Sequence, residues 1–290
     1  MQNTEKKITP KLVQLFFNSL PKKKILEYAK NIQTLILSGD DSLISKKNDG
    51  TLVTEADTRI EQMIISSFNV SPLRDLCGIG GEENVGNVSK PGQWKLLIDP
   101  IDGSSSLIKG KETWGVMVGL LDKNGILQYS WNLISTGEVF RTRMTSVPLA
   151  KISLSQTEKP RVDFYDYGSG QDSIFRSALK KTGIQNPELT SCPAAVWAGW
   201  ELYKNKLSAL VWVVGENEKK TYPDYDLVFL APLVEQGYKV RLGKLESGEN
   251  GIVVVAPTEE DADMLYRIAF DIVTEKTPAP ITEIKNKLII

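Results

Sequence analysis

The sequence contains no histidine. That single absence removes Ser-His-Asp triads, imidazole metal ligands and imidazole acid–base chemistry together. Cysteine is nearly as scarce. Cys77 and Cys192 stand far apart and without metal-ligand spacing, so no disulfide framework is expected and a reducing compartment is the default. Neither sign of charge is in excess: 35 Lys and Arg face 36 Asp and Glu, a net charge of −1, which argues against a nucleic-acid partner. The short basic run Lys22-Lys23-Lys24 reads as the solvated start of a helix. No apolar run approaches the roughly 20 residues of a membrane helix. The N-terminus lacks the charged-then-apolar layout of a signal peptide, so the expectation is a cytoplasmic protein without a membrane partner. Carboxylates, hydroxyls, lysines or a bound metal are left to carry any chemistry.

What is present is ordinary core-forming material. The chain has 290 residues, 41% of them hydrophobic, enough for one large domain or two that share an interface. Ile25, Ala29, Ile32 and Ile36 recur at helical spacing, with Gly39 as a stop. A second helix is expected after Thr54, burying Ile60, Met63 and Ile64. Pro72 and the glycines from Gly78 to Gly81 read as a loop, and Trp94 to Ile98 as a short strand ended by Pro100 and Gly103. Strands at Val116 to Leu121 and Ile126 to Trp131 flank a hairpin signal, Asp122-Lys123-Asn124-Gly125; a further turn at Ser135 to Glu138 leads into Val139-Phe140. That is an antiparallel meander, so the first half is α+β. Beyond residue 150 the pattern predicts strands at Arg161 to Tyr165, Leu207 to Val214 and Ile252 to Ala256. Helices are predicted at Ser173 to Lys181, Ala194 to Tyr203, Asp226 to Glu235 and Thr258 to Ile272.

The informative feature is a set of acids at turn-like positions. Glu82 and Glu83 follow two glycines, Asp99 and Asp102 bracket Pro100-Ile101 after a hydrophobic strand, Asp57 precedes a helix and Asp226 opens one. Carboxylate oxygens are hard ligands, and without His or a Cys cluster the metal they suit is Mg²⁺ or Mn²⁺. Asp99 can project from the strand end while Asp102 faces the same point. Gly103 permits a backbone closed to other residues, and Ser104, Ser105 and Ser106 can begin a helix whose N–H groups suit a phosphate. Each element also has a plain structural reading: Asp-Gly and Asp-Pro pairs are common in turns, Asp57 suits a helix N-terminus, and Glu82 and Glu83 suit a surface. The conjunction is what points to metal-assisted phosphate chemistry.

At these residues the sequence resembles the inositol monophosphatase family, a superfamily that includes fructose-1,6-bisphosphatases and 3′-phosphoadenosine phosphatases. Lys46 to Asp57 resembles the family's Lys…Val-Thr-x-x-Asp block, Gly81-Glu82-Glu83 its Gly-Glu-Glu, and Trp94 to Ser104 its Trp-x-x-x-x-Asp-Pro-Ile/Leu-Asp-Gly-Thr signature. Tyr225-Asp226-Leu227 with Pro232 to Glu235 resembles its C-terminal block. The resemblance implies a layered α/β/α/β/α sandwich, usually a homodimer. Its residues 1–150 would form an N-terminal α+β half holding the metal and phosphate site, and residues 151–290 a C-terminal α/β half supplying Asp226 and the substrate pocket. It implies two or three Mg²⁺ ions, with Mn²⁺ as the alternative, on Glu82, Asp99, the Ile101 carbonyl, Asp102 and Asp226. It implies Asp57 and Ser104 as the catalytic pair, and Gly103, Ser104, Ser105 and Ala195 against a small-molecule phosphate substrate. Lithium sensitivity is the corresponding expectation.

The departures bear on the substrate. Ser104 stands where the family usually has Thr and keeps the hydroxyl; Tyr225 replaces a Trp, and Ser191-Cys192-Pro193-Ala194-Ala195 replaces Gly-Ser/Thr-Ala-Ala. The resemblance thus implies a Mg²⁺-dependent phosphomonoesterase acting on an inositol monophosphate-like metabolite. The alternatives are histidinol phosphate, fructose-1,6-bisphosphate, 3′-phosphoadenosine 5′-phosphate with Trp197, Trp200 and Lys204 as its pocket, or a non-catalytic phospholigand-binding scaffold. The stretch from Ser104 to Trp114 and Pro232 to Glu235 look like histidinol-phosphatase members.

Overall fold

The structure, a computed structural model, describes residues 7–47, 50–83, 92–143, 150–165, 171–213, 222–245, 250–274 and 281–285. Asn48 and Asp49 of the first motif block, and Val214 at the end of an expected strand, lie outside the described residues. In chain order the elements are α1 (Pro10–Ser19), α2 (Lys22–Leu37), β1 (Ile44–Lys46), β2 (Leu52–Thr54), α3 (Glu55–Asn69), β3 (Cys77–Gly81), β4 (Trp94–Asp102), α4 (Ser104–Ile108), β5 (Gly115–Leu121), β6 (Leu127–Ile134) and β7 (Val139–Arg141). They continue with β8 (Arg161–Tyr165), α5 (Asp172–Lys181), β9 (Glu188–Thr190), α6 (Ala195–Tyr203), β10 (Ala209–Val213), α7 (Leu230–Glu235), β11 (Lys239–Lys244), β12 (Asn250–Ala256), α8 (Glu259–Thr274) and β13 (Thr282–Lys285).

Two sheets organise the chain. One has five strands in the order β3-β4-β5-β6-β7, and the other six in the order β13-β11-β12-β10-β8-β9. The chain passes from one to the other between Arg141 and Arg161. Three apolar clusters define the layers. Val13, Phe16, Ile25, Ile32, Ile60 and Ile64 of α1–α3 pack on Leu96, Ile98, Val116 and Val118 of the first sheet. Val196, Trp200, Phe229 and Leu233, from α6, α7 and the turn before α7, fill the space between Leu97 and Met117 of one sheet and Leu210, Val240 and Val253 of the other. Phe175, Leu179, Leu265 and Ile272 of α5 and α8 cover the far face of the second sheet through Val211 and Val254. The result is the expected α+β sandwich of layers α/β/α/β/α. Both faces of β5 and of β12 are buried, which explains why these strands read as continuous apolar runs rather than alternating ones.

Local chemistry accounts for most boundaries. Pro10 sits in the first turn of α1 behind the Thr9 cap, where its missing N–H costs nothing. On α3 Met63 is only partly buried, whereas Ile60, Ile64 and Phe68 are enclosed. Among the described residues no helix is long and apolar enough to cross a membrane.

Four readings need correction. The glycine-rich Cys77–Gly81 segment is a strand, β3, parallel to β4, not a loop. Its glycines answer close packing: a Cβ on Gly81 would stand 2.3 Å from a carboxylate oxygen of Glu61 on α3, and one on Gly80 2.3 Å from the Lys95 side chain. β4 does not stop at Pro100 but runs to Asp102. The expected helix over Asp226 to Glu235 is instead a 3₁₀ turn at Asp224–Leu227 followed by α7, with Pro232 in the first turn of that short helix where it is tolerated. The Leu207 to Val214 strand begins two residues later than expected, at Ala209, where pairing to β8 and β12 starts.

Candidate active site

The site is built where α3, β4 and the 3₁₀ turn at Asp224–Leu227 meet. Thr54 caps α3: its hydroxyl oxygen accepts from Ala56 N (3.2 Å), while its own N–H and O–H donate to Asp57 Oδ2 at 2.8 and 2.6 Å. This is a capping box, so Asp57 stabilises the helix start. The other oxygen, Oδ1, lies 2.8 Å from Ser104 Oγ, which donates to it. Ser104 Oγ is also 2.9 Å from the Ile101 carbonyl, and its single proton serves one acceptor at a time. Asp57 is buried; burial raises its pKa, against the hydrogen bonds from Thr54 and Ser104.

The two acids of the Asp-Pro-Ile-Asp segment share a face because the strand is irregular. β4 pairs with β5 at Asp99↔Met117 and next at Asp102↔Gly115, three steps on one strand against two on the other. That extra residue is a bulge, and Pro100, with no N–H to offer the ladder, sits inside it. Before the bulge Leu97 faces the middle layer, and Leu96 and Ile98 face the outer helices. After it Ile101 faces the outer helices. The shift turns Asp102 to the same side as Asp99; in a regular strand, residues three apart point to opposite faces.

Gly103 follows with φ +90°, a backbone that L side chains rarely adopt, and a Cβ there would lie 2.9 Å from Ala194 Cβ and 3.0 Å from the Thr113 carbonyl. Ser104 then opens α4, a helix of five residues, with Ser105 exposed and Ser106 buried.

Glu82 and Glu83 leave the end of β3. Glu82 N donates to the Ile98 carbonyl at 2.9 Å, and Glu83 N to Glu61 Oε2 at 2.9 Å. Lys47 Nζ reaches both carboxylates, 2.7 Å from Glu82 and 2.6 Å from Glu83. Burial alone would lower the Lys47 pKa; its hydrogen bonds to the two glutamates override this and push it up. Burial pushes Glu83 up to about 7, against the Lys47 hydrogen bond.

Asp226 completes the group. Burial raises Asp99 well above the usual carboxylate range, with further contributions from the charges of Glu82, Asp102 and Asp226. Asp226 is raised by burial, then by Asp102 and Glu82, with Lys47 opposing. Asp102 keeps some exposed surface, but the protein packed around it pushes it up to about 7 despite N–H groups from Val196 and Ala195. Four like charges are therefore collected around one point, a costly arrangement without compensation. As the side chains stand, no group of three or more acids among the described residues is arranged to hold a metal ion. Glu82 is held by Lys47 and Asp102 accepts the Val196 N–H. Asp99 Oδ1 is the telling atom: it is buried and has no hydrogen-bond partner among the described residues. The donor set, all hard oxygens, fits a divalent cation of the Mg²⁺ class.

Beside the acids opens a cavity of about 130 Å³. It is lined by Asp102 and Asp226, by the segment Cys192 to Ala195, and by the rings of Tyr165, Trp212 and Tyr222. Trp212 and Tyr222 stack with ring centroids 5.3 Å apart. Burial, then the Asp163 carboxylate, hold the Cys192 thiol far up, so it stays protonated and is no nucleophile at neutral pH.

The structure thus brings together Asp57 with Ser104, Asp99 with Glu82, Asp102 and Asp226, and sets Ala195 on the cavity wall. Ser105 and Gly103 stand at the adjoining helix start without lining the cavity. Trp197, Trp200 and Lys204 do not line it either: Trp200 packs on Phe140 and Tyr203, with Lys204 over its ring. Two fully buried carboxylates, Glu61 and Asp163, went unnoticed in the motifs. Glu61 lies four residues after Asp57, one turn along the same helix face, which is a readable signal; Asp163 carries none.

The sequence model of the inositol monophosphatase family matches residues 20–131. Over 125 residues the chain is 35% identical to a histidinol-phosphatase of Chlorobaculum parvum, a match covering 42% of this chain and 47% of that protein. The matched segment therefore spans about half the length of that curated relative. Among solved structures, an IMPase of Thermotoga maritima aligns over 91% of this chain and 99% of its own with a TM-score of 0.61 and 14% identity. A staphylococcal inositol monophosphatase, solved as a LiCl-soaked inhibitory complex, aligns over 91% and 96% with a TM-score of 0.57 and 15% identity. At such identities the likeness to the solved structures is one of fold. Residues 20–131 thus carry the sequence pattern of the inositol monophosphatase family, and along its length the chain shares the fold of the solved IMPases.

Proposed function

We propose that this protein is a Mg²⁺-dependent phosphomonoesterase that hydrolyses a small phosphorylated metabolite to its alcohol and inorganic phosphate. The observation that carries the reading is the buried Asp99 Oδ1, which has no hydrogen-bond partner among the described residues and lies within reach of the charges of Glu82, Asp102 and Asp226. Glu82, Asp99, the Ile101 carbonyl, Asp102 and Asp226 would hold two or three divalent cations, Mg²⁺ with Mn²⁺ as a substitute. Bound there, such cations supply positive charge to phosphoryl oxygens and acidify a coordinated water. The chain's own residues do the rest. Ser104 Oγ, donating to Asp57, orients the water and relays its proton to Asp57 Oδ1. Gly103 and the first residues of α4 set the phosphate beside the acids, and Ala195 with the aromatic wall receives the leaving alcohol. No residue forms a covalent intermediate. Li⁺ inhibition is expected by analogy with the LiCl-soaked staphylococcal protein, and a homodimer, readable by light scattering, goes with the family resemblance.

A second reading refines the substrate. A cavity lined by Tyr165, Trp212 and Tyr222 together with two carboxylates suits a flat, cationic alcohol better than a polyol, which presents hydroxyls rather than a π-face. Histidinol phosphate has that chemistry, and the C. parvum relative bears its name. The deciding experiment is phosphate release over inositol, sugar, nucleotide and histidinol phosphates with and without Mg²⁺. Mg²⁺-dependent release from at least one, lost by a factor of roughly 10² or more in Asp99→Asn, is the expected result. Release from none despite tight Mg²⁺ binding would replace the enzyme with a phospholigand-binding scaffold.

A further inference from the structure

The cavity wall is held from behind by a carboxylate that does not touch the cavity. Asp163 lies on β8, fully buried, between Thr190 of β9 and Leu210 of β10 in the sheet register. Its Oδ1 accepts from the Cys192 N–H at 2.6 Å and the Thr190 hydroxyl at 3.4 Å, and its Oδ2 accepts from the Trp212 indole N–H at 2.9 Å. Cys192, just before α6, and Trp212, on β10, both line the cavity. One oxygen thus anchors the Cys192–Ala195 turn, and the other sets the plane of the Trp212 ring.

We propose that Asp163 is a positioning and specificity-determining residue, a buried carboxylate that locks the Cys192 turn and the Trp212 ring into the wall receiving the leaving alcohol. The proposal rests on the phosphatase reading for the identity of the ligand, but its geometry stands without it. A carboxylate is the side chain of this size with two acceptor oxygens and no donor. An amide at position 163 must turn its NH₂ toward either the Cys192 N–H or the Trp212 indole N–H, so one anchor opposes the group it should hold. Ala195, three residues beyond Cys192, belongs to the same turn, and its N–H together with that of Val196 contacts Asp102. A loosened turn would therefore disturb leaving-group contacts first, since the Asp57–Ser104 hydrogen bond has no member in the turn.

The test compares Asp163→Asn and Trp212→Phe with the wild type, measuring kcat and KM for histidinol phosphate and inositol monophosphate. KM for the preferred substrate is expected to rise roughly tenfold in D163N, with kcat within about threefold and the discrimination between the two substrates reduced. W212F, which removes one anchor and leaves the other, is expected to fall between. It also covers the case in which D163N fails to fold, since an unchanged KM in W212F would then overturn the proposal. A uniform loss of kcat with constant KM and discrimination would overturn it as well. A second readout needs no turnover: the difference in fluorescence between wild type and W212F isolates Trp212. In D163N this emission is expected to shift red and to become more quenchable by acrylamide. Wild type without phosphatase activity would sink the functional reading alone; a Trp212 signal unmoved in folded D163N would sink this one.

Discussion

The two sheets of the sandwich use buried charge in opposite ways. Around β4 of the five-stranded sheet, acids are gathered against one another, and Asp99 keeps an oxygen without a partner among the described residues. In the six-stranded sheet the buried charges are answered. Arg241 of β11, 2% exposed, meets Glu259 at 2.5 Å, Asp263 at 2.8 Å and Glu283 at 3.7 Å. Asp163 there is answered by two N–H groups and a hydroxyl. Unanswered buried charge is what a site awaiting a cation and an anion needs, and answered charge is what holds a scaffold. The difference predicts that substitutions near β4 cost activity while substitutions around β11 cost stability.

The largest effect should come at Ser104 and Asp57. Ser104→Ala is expected to lower kcat by roughly 10²-fold or more, the usual scale of a lost proton relay, with little change in Tm. Asp57→Asn should lose as much activity and about 1 kcal/mol of stability in addition, because it also breaks the capping box. If S104A keeps full activity, the N-terminal sheet is not the catalytic half. On the other side, Arg241→Met is expected to destabilise by roughly 2–3 kcal/mol, less than a fully buried pair because Glu259 is 47% exposed. Its kcat should match the wild type; a large loss of turnover at unchanged Tm would erase the distinction.

Gly103→Ala tests whether the turn between β4 and α4 tolerates a Cβ. The positive φ and the clash with Ala194 predict a loss of roughly 1–3 kcal/mol by urea unfolding, together with weaker activity. The smallest effect on the protein alone concerns pH, and it is coupled to metal. The Asp99 pKa is raised in the folded chain, by burial first and then by its acidic neighbours. A raised folded value favours the protonated form, so the stability it contributes is complete below the unfolded value near pH ~4 and is lost as pH rises through the folded value. Metal-free wild type should accordingly be less stable at pH 8 than at pH 5. Asp99→Asn should recover part of that loss, about 1 kcal/mol or about 2–4 °C in Tm. Saturating Mg²⁺ should stabilise the wild type at pH 8, by about 2.7 kcal/mol at 100 times Kd, and the variant by less. Equal Mg²⁺ shifts in both proteins would remove Asp99 from the cation site.

Much of this was readable because it is local. The capping box at Thr54, the helical spacing of Ile25 to Ile36, the hairpin at Asp122 to Gly125 and the meander into Val139 all depend on neighbours within a few residues. β3 departs from the loop that its glycines signal locally, because here they admit Glu61 and Lys95 from other elements. α1 and β11 were not anticipated; β11 is fixed mainly by pairing to β12 and β13.

The sequence by itself determined which chemistry was available. An absence of histidine, a set of acids at turn positions and the Asp-Pro-Ile-Asp-Gly-Ser segment restrict the site to oxygen donors and hydroxyls. Tertiary structure alone decided which acids face one another. The bulge at Pro100 turns Asp102 to the side of Asp99, the 3₁₀ turn carries Asp226 across 124 residues of chain to meet Asp102, and β8 places Asp163 behind a wall it holds, away from the cavity itself. Convergence of side chains distant in sequence depends on strand register and layer packing, which are set by contacts between elements and leave no periodic trace along the chain.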